Sequence, residues 1–583
     1  MTGELRIAGG AVYDPANGSD GEVRDVCVRD GVVVREVSPA ARTIDARGMV
    51  VMPGGVDIHA HVAGASVNHG RRLLPEDRAA DPAPAPRLLD ADDPGAPPAR
   101  SGTGGTLPST FTTGYRYAGL GYTTAFDAAV APLTARLTHA ELDDTPIVDA
   151  GCFILMGNDE YLFRLIDGRD PAAARERARD YVAWLLGAAG GYAVKVVNPG
   201  GVERWKRNER GPTELDAPVG SSAVTPRRIL ETLADAAEAL ALPHPAHIHC
   251  NNLGMAGNAR YTLESMRALS GRRAHFTHLQ FHAYGGEPGR AWRSGAREVI
   301  EHVNRTPELS ADVGQVMFGP ATTLSADGPA QYLLHASSGR KWLNVDIELE
   351  TGCGIVPYGY REKAAVSALQ WVVGLELFLL SEDPWRVVLS TDHPNGGSFA
   401  SYPELIRLLM DRAYRDDVLK RVSHKMLAGS ALADGLAREY TLGEIATVTR
   451  AAPARLLGLR RKGHLGPGAD ADVTVYARSA NIAEMFASPR WVVKGGTVVV
   501  EDGHLRRAPA SRRLHVRPEF DRGLLPALRG FFAERSSVSF ANYPVGELRD
   551  APVAARDAGS GMRDVSHSPP AVPMSAAGGS RDV

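Results

Sequence analysis

Cysteine is scarce in this 583-residue chain: Cys27, Cys152, Cys250 and Cys353 stand far apart and form no CxxC pair. That argues against a disulfide framework, a zinc ribbon and a cysteine-ligated iron–sulfur cluster, and it points to a reducing compartment. Long hydrophobic runs are also missing. No uninterrupted apolar stretch approaches the roughly 20 residues of a membrane helix, and the opening MTGELRIAGGAVYDP has no basic segment leading into an apolar one. A cytoplasmic protein with no membrane partner is the expectation. An excess of positive charge is absent too, since 65 Lys+Arg against 68 Asp+Glu leave a formal net charge of -3. Nucleic acid is therefore not an expected partner.

What is present is an ordinary globular composition, 44% hydrophobic and 23% charged, on a chain longer than a single core usually serves. A large catalytic unit with a smaller companion is expected. Residues 4–52 read as short Val- and Ile-rich strands broken by Gly, Asp and Asn, and the texture returns in ADADVTVYA and in RWVVKGGTVVVEDGHL, where KGG is a hairpin turn. Residues 1–52 and 466–515 are expected to pair as one composite β-sandwich. Between them, short buried-looking strands (YAVKVV, HPAHIHC, AHFTHLQF, RVVLSTDH) alternate with helical stretches such as TPRRILETLADAAEALAL. That order predicts an α/β unit with a parallel sheet, closed as a barrel over 53–465. The Pro-, Ala- and Asp-rich stretch 75–105 reads as a flexible insertion, and 516–583 as a C-terminal extension, disordered from about 550.

Polar residues cluster where the apolar runs stop, which is where barrel enzymes carry their chemistry. In VMPGGVDIHAHVAG, strand alternation puts His59 and His61 on one face, able to chelate one ion, although a lone HxH is equally often two unremarkable histidines. Lys195 lies in AVKVV, where an unpaired ammonium is costly. Either a buried salt bridge satisfies it, or the neutral amine takes up carbon dioxide and bridges two cations as a carbamate. His249 ends PAHIHC and His278 follows AHFT. Their neighbours His247 and His275 compete for the same reading, and a supporting position behind the ligands suits His247. Asp392 closes VVLSTD, where a turn or cap is the plain alternative.

The order HxH, Lys, His, His, Asp resembles the amidohydrolase superfamily of distorted (β/α)8 TIM-type barrels, with a composite β-sandwich built from both chain ends. More narrowly, the chain resembles the family of formylmethanofuran dehydrogenase A subunits and the hydrolytic subunits of formyltransferase/hydrolase complexes. The strings that carry this are PSTFTTGYRYAGLGYTTAFDAAV (108–130), KVVNPGG (195–201), HIHCNNLGMAGN (247–258), THLQFHAYGG (277–286), DVGQV and TTLSADGP (312–329), ETGCGIVPY (350–358) and STDHPNGG (390–397). The stretch 75–105 departs from the family pattern.

The resemblance implies two divalent metal ions, zinc by donor type. His59 and His61 match the first-metal pair, Lys195 the carboxylated bridging lysine, His249 and His278 the second-metal pair, and Asp392 the catalytic aspartate that also touches the first metal. It further implies hydrolysis, or the reverse condensation, of the formamide of N-formylmethanofuran or a related furan carrier in one-carbon metabolism. Formyltransferase and other subunits of a hetero-oligomeric complex are the implied partners. Arg116, Lys206 and Arg207 are candidates for the carrier's acidic tail, Asn251, Asn252 and His282 for substrate contact, and Tyr115 and Tyr117 for its aromatic head. For the tyrosines core packing is the plainer reading, and for Lys206 and Arg207 a solvated face. Two rivals remain, a cyclic-amide hydrolase of the dihydropyrimidinase kind and a scaffold protein of such a complex without chemistry.

Overall fold

A computed structural model describes residues 3–80, 102–167, 170–287, 291–347, 350–546 and 548. Most of the expected flexible stretch 75–105, and the expected disordered tail from about 550, lie outside the described residues.

Eight parallel strands form the catalytic sheet: β1 (Gly55–Ala60), β2 (Tyr122–Val130), β3 (Asp149–Leu155), β4 (Ala193–Val197), β5 (Ala246–His249), β6 (Ala274–Phe276), β7 (Leu309–Asp312) and β8 (Val387–Val388). They pair in sequence order from β1 to β8. The sheet curls until its ends meet, where Ala60 bridges His393 in parallel and His61 N–H donates to His393 O at 2.7 Å. A helix follows each strand: α1 (Thr110–Gly119), α2 (Ala135–Asp143), α3 (Pro171–Ala189), α4 (Pro226–Ala239), α5 (Ala259–Ala268), α6 (Ala296–Arg305), α7 (Ala365–Leu379) and α8 (Tyr402–Met410).

Local chemistry explains these elements. β4 is AVKVV, buried at every position, as expected for a strand covered on both faces. α4 starts at Thr225, whose side chain accepts from Arg228 N–H, with Pro226 at its first position, and it buries Ile229, Leu230, Leu233, Ala234 and Ala237 on one stripe.

Two strands stop earlier than the apolar runs suggest. β8 ends at Val388 because the following backbone bonds elsewhere: Leu389 N–H donates to Val448 O at 3.0 Å, and Ser390 O accepts from Gln315 N–H at 2.9 Å. β6 ends at Phe276, two residues before His278, which adopts φ 39°. An excursion between β7 and β8 forms a three-stranded antiparallel sheet (Gly319–Ser325, Leu343–Ile347, Glu350–Tyr360) with a helix at Gly328–Ser338. An apolar cluster of Val67, Leu107, Leu324, Cys353 and Ile355 ties it to the loop after β1.

The chain ends share a separate nine-stranded sheet in which Val50–Pro53 pairs antiparallel with Val473–Tyr476. It curls onto itself, since Val33 N–H donates to Ala469 O and Ala471 N–H to Gly31 O, both at 2.9 Å. Ile7, Val12, Val26, Val28, Val51, Val473 and Val493 fill its interior. KGG is the turn between Trp491–Lys494 and Thr497–Glu501. Beyond it, the helix Leu525–Arg535 sets Phe531 on Tyr161 and Phe532 on Trp184. No helix of the described residues is long and apolar enough to cross a membrane.

Candidate metal centre

The C-terminal ends of the strands gather two groups of potential ligands. In the first, His59 Nε2 and His61 Nε2 lie 2.9 and 3.2 Å from the same oxygen, Asp392 Oδ1. Alternation along β1 aims both imidazoles inward, and Asp127 Oδ2 holds the chain just beyond them by accepting from Val62 N–H and Ala63 N–H at 3.0 Å each. In the second group, ring nitrogens of His249, His278 and His282 all lie within 4.8 Å of one another. Two of the residues in these groups hold left-handed backbone, His278 at φ 39° and Asp392 at φ 50°. Such geometry costs energy in a non-glycine residue and persists where the surroundings enforce it.

Lys195 is fully buried and its Nζ has no hydrogen-bond partner among the described residues, so the salt-bridge reading is not what the structure shows. Burial brings the amine down to about 7. The lysine acts electrostatically on His59 of the first group and on His249 and His282 of the second. Burial likewise takes His59 down to about 4 and lowers His249, His278 and His282. At Asp392 burial opposes ionisation, but His59 and His278 outweigh it and hold the carboxyl well below the usual range.

Each of these two groups could hold a metal ion. Among the described residues His278 Nδ1 and both ring nitrogens of His282 are buried without partners, and buried polar atoms of this kind require one. Neutral imidazoles, a carboxylate and a desolvated amine are the donor set expected of such a site.

A family model described as the amidohydrolase family matches residues 42–500. The chain belongs to the amidohydrolase family. Among known amidohydrolase relatives, protein FwdA of Methanocaldococcus jannaschii is 42% identical over 566 residues, 93% of this chain and 97% of that protein. The FhcA component of the formyltransferase/hydrolase complex of Methylorubrum extorquens is 38% identical over 551 residues, 93% and 96% of the two chains. A crystal structure of the formyltransferase/hydrolase complex from Methylorubrum extorquens with methylofuran matches with a TM-score of 0.87 at 36% identity, covering 95% of this chain and 100% of that one.

The amidohydrolase fold brings His59, His61, His249, His278 and Asp392 into the two groups and sets Lys195 mid-way along β4, and it distributes the other candidates differently. His282, expected at the substrate, stands among the imidazoles of the second group. Asn251 Nδ2 donates to Asn198 Oδ1 at 2.8 Å and to Pro199 O at 3.0 Å, bracing the turn after Lys195. Asn252 uses both ends of its amide on Thr213, accepting from its N–H at 2.8 Å and donating to its carbonyl at 3.0 Å. Tyr115 packs away from the ligands, with Ala118, Ile147, Val492 and Val499, against the second sheet. Tyr117 stacks on Phe399 at 3.8 Å and donates to Asp57 Oδ2 at 2.7 Å. Tyr117 is thus a core residue and Tyr115 a partly buried one, because α1 lies between the barrel and the second sheet. Arg116 is half-buried in the last turn of α1. Lys206 pairs with Glu203 at 3.3 Å and lines, with Val202, Trp205, Gly328 and Asn344, a cleft of about 370 Å³, while Arg207 is exposed.

Sequence reasoning missed two carboxylates. Asp312 ends β7, where Oδ1 accepts from His278 N–H (3.1 Å) and the Ser390 hydroxyl (2.5 Å), while Oδ2 accepts from His275 Nε2 (3.1 Å). Burial opposes its ionisation, but His59, His275 and Ser390 outweigh it and hold the carboxyl at about 2. An apolar strand closing in Asp was the signal. Asp327 puts Oδ2 3.3 Å from His249 Nε2 and accepts from Asn198 Nδ2 at 2.9 Å. In sequence it reads only as the cap of the following helix, a role it also fills.

Proposed function

We propose that this amidohydrolase hydrolyses the formamide of an N-formylated furan carrier of the methanofuran kind, or forms it in reverse, within a formyltransferase-type complex. The observation that carries the reading is the buried, unpartnered Lys195 amine acting on both ligand groups. The substrate class is drawn from the extent of the likeness, 93% of the chain, to FwdA and FhcA.

In this reading His59, His61 and Asp392 would hold one divalent cation and His249, His278 and His282 another, and Lys195, as a carbamate, would supply further oxygen donors. Zinc suits these donors; when bound, such ions polarise a carbonyl and lower the pKa of water toward neutrality. Asp392, ionised beside His59 and His61, takes the proton from the attacking water and returns it to the departing amine. The formyl C–N bond breaks, water supplies the oxygen of formate, and the carrier leaves as a free amine. In this reading the cleft between Trp205 and Asn344 receives the carrier's body; its lining residue Gly328 follows Asp327, which lies beside His249.

The test is incubation of the purified complex with the formylated carrier while formate is assayed. Metal content and the mass of the Lys195 peptide are measured on the same sample. Ring opening of cyclic amides without formate release, or a chain that holds neither metal nor added mass, would overturn the reading.

A further inference from the structure

Behind the ligands lie two imidazoles that the proposed reaction does not use, His244 and His247, in line with the ligand His59. His244 Nδ1 is 2.8 Å from Leu456 O, His244 Nε2 is 3.0 Å from His247 Nδ1, and His247 Nε2 is 2.8 Å from His59 Nδ1. All three rings are fully buried. Phe153 of β3 pins two of them, stacked on His244 at 5.2 Å and set against His247 at 4.6 Å.

We infer that the Leu456 carbonyl, acting through His244 and His247, sets the tautomer of His59 and so aims a lone pair at the first metal position; this rests on the metal reading above. A carbonyl oxygen only accepts, so His244 Nδ1 carries the hydrogen. With a neutral ring, His244 Nε2 is then an acceptor, and His247 Nδ1 must donate to it. His247 Nε2 is left as an acceptor, and His59 Nδ1 must donate to it. His59 Nε2 is thereby free of hydrogen, as a metal ligand requires. One contact competes with this polarity: His59 Nε2 lies 2.9 Å from Asp392 Oδ1, which in the metal-free chain favours a hydrogen on Nε2, and the relay opposes that tautomer. The Thr277 hydroxyl oxygen also hydrogen-bonds His59 Nδ1 and can accept a share of the same N–H. Asp312 Oδ2 lies 3.8 Å from His59 Nδ1 and 3.9 Å from His247 Nε2, beside the hydrogen the two rings share.

His244 and His247 are positioning residues in this account, since they act on the site only through His59. Neutron diffraction from deuterium-exchanged crystals of the zinc-loaded full chain reads the order directly. Deuterium on Nδ1 of His244, His247 and His59 is expected; deuterium on His247 Nε2 would overturn the relay. Zinc absent with the deuterium order intact would sink the metal reading and leave the relay standing.

Variants give a second readout. His244→Phe keeps a flat ring but no donor, and zinc should bind about ten- to a hundredfold more weakly, as when a ligand's supporting partner is lost. His244→Gln, whose amide can donate to Leu456 O and accept from His247, should recover most of that loss. Equal zinc binding by wild type and both variants would overturn the inference.

Discussion

His59 Nε2 and Asp392 Oδ1 meet at 2.9 Å, joining the first strand of the barrel to the loop after the last. The contact stands beside the point where the sheet closes, at Ala60 and His393. One end of the proposed first metal position is therefore also the seam of the barrel, and its geometry depends on closure.

Asp392→Asn keeps the shape of that contact and removes the base. Turnover of formylated carrier should fall by about 10²- to 10⁴-fold, with the thermal midpoint little changed. Formate release at the wild-type rate from metal-loaded protein would contradict the role.

Lys195 gives a pH signature. Its value is about 7 in the fold against 10.5 ordinarily, so between these values the folded, metal-free chain binds fewer protons than the unfolded one. Stability should then rise with pH across that window, and below about 7, where both states are protonated, the buried ammonium is carried in full. The free amine exists above about 7, so bicarbonate-dependent mass gain on the Lys195 peptide should increase through neutrality. Lys195→Met should abolish both effects, which denaturation against pH and intact mass can check.

His282→Ala should lower bound metal from two equivalents toward one while leaving the His59 group loaded. Elemental analysis of dialysed protein measures this. A role confined to substrate contact would instead leave metal content unchanged and raise KM.

Gly314 should tolerate no side chain. It has φ +67°, and a Cβ there would stand 2.4 Å from His278 Cβ. Gly314→Ala adds a left-handed alanine, costing about 1–2 kcal/mol, and displaces His278. Both the thermal midpoint and the metal content of the second group should fall.

Asp149 of β3 accepts from Lys462 and Lys494 at 2.7 Å each, where the barrel meets the second sheet. Asp149→Ala also takes a partner from Arg512, 2.7 Å away, and leaves the two buried lysines to Asp472, 2.9 and 2.8 Å away, and Lys462 to Asp470 at 3.4 Å. A loss of about 3–5 kcal/mol is expected, measurable by urea denaturation.

The sequence by itself pointed to an alternation of strand and helix and to six candidate ligand residues at the ends of apolar runs. Those features are local: an apolar run of β-branched residues stops at a polar one, and strand alternation puts His59 beside His61. Only the tertiary structure decided which residues converge. His282 joins His249 and His278 because the chain turns sharply after Phe276, which no periodicity reports. Tyr117 goes to the core and Tyr115 packs, partly buried, toward the second sheet because α1 lies between that sheet and the barrel. The line from Leu456 O to His59 spans segments nearly four hundred residues apart in sequence, and Asp312 and Asp327 matter through the rings they touch. Such contacts come from curling the sheet until its two edges meet, a long-range property that local spacing does not encode.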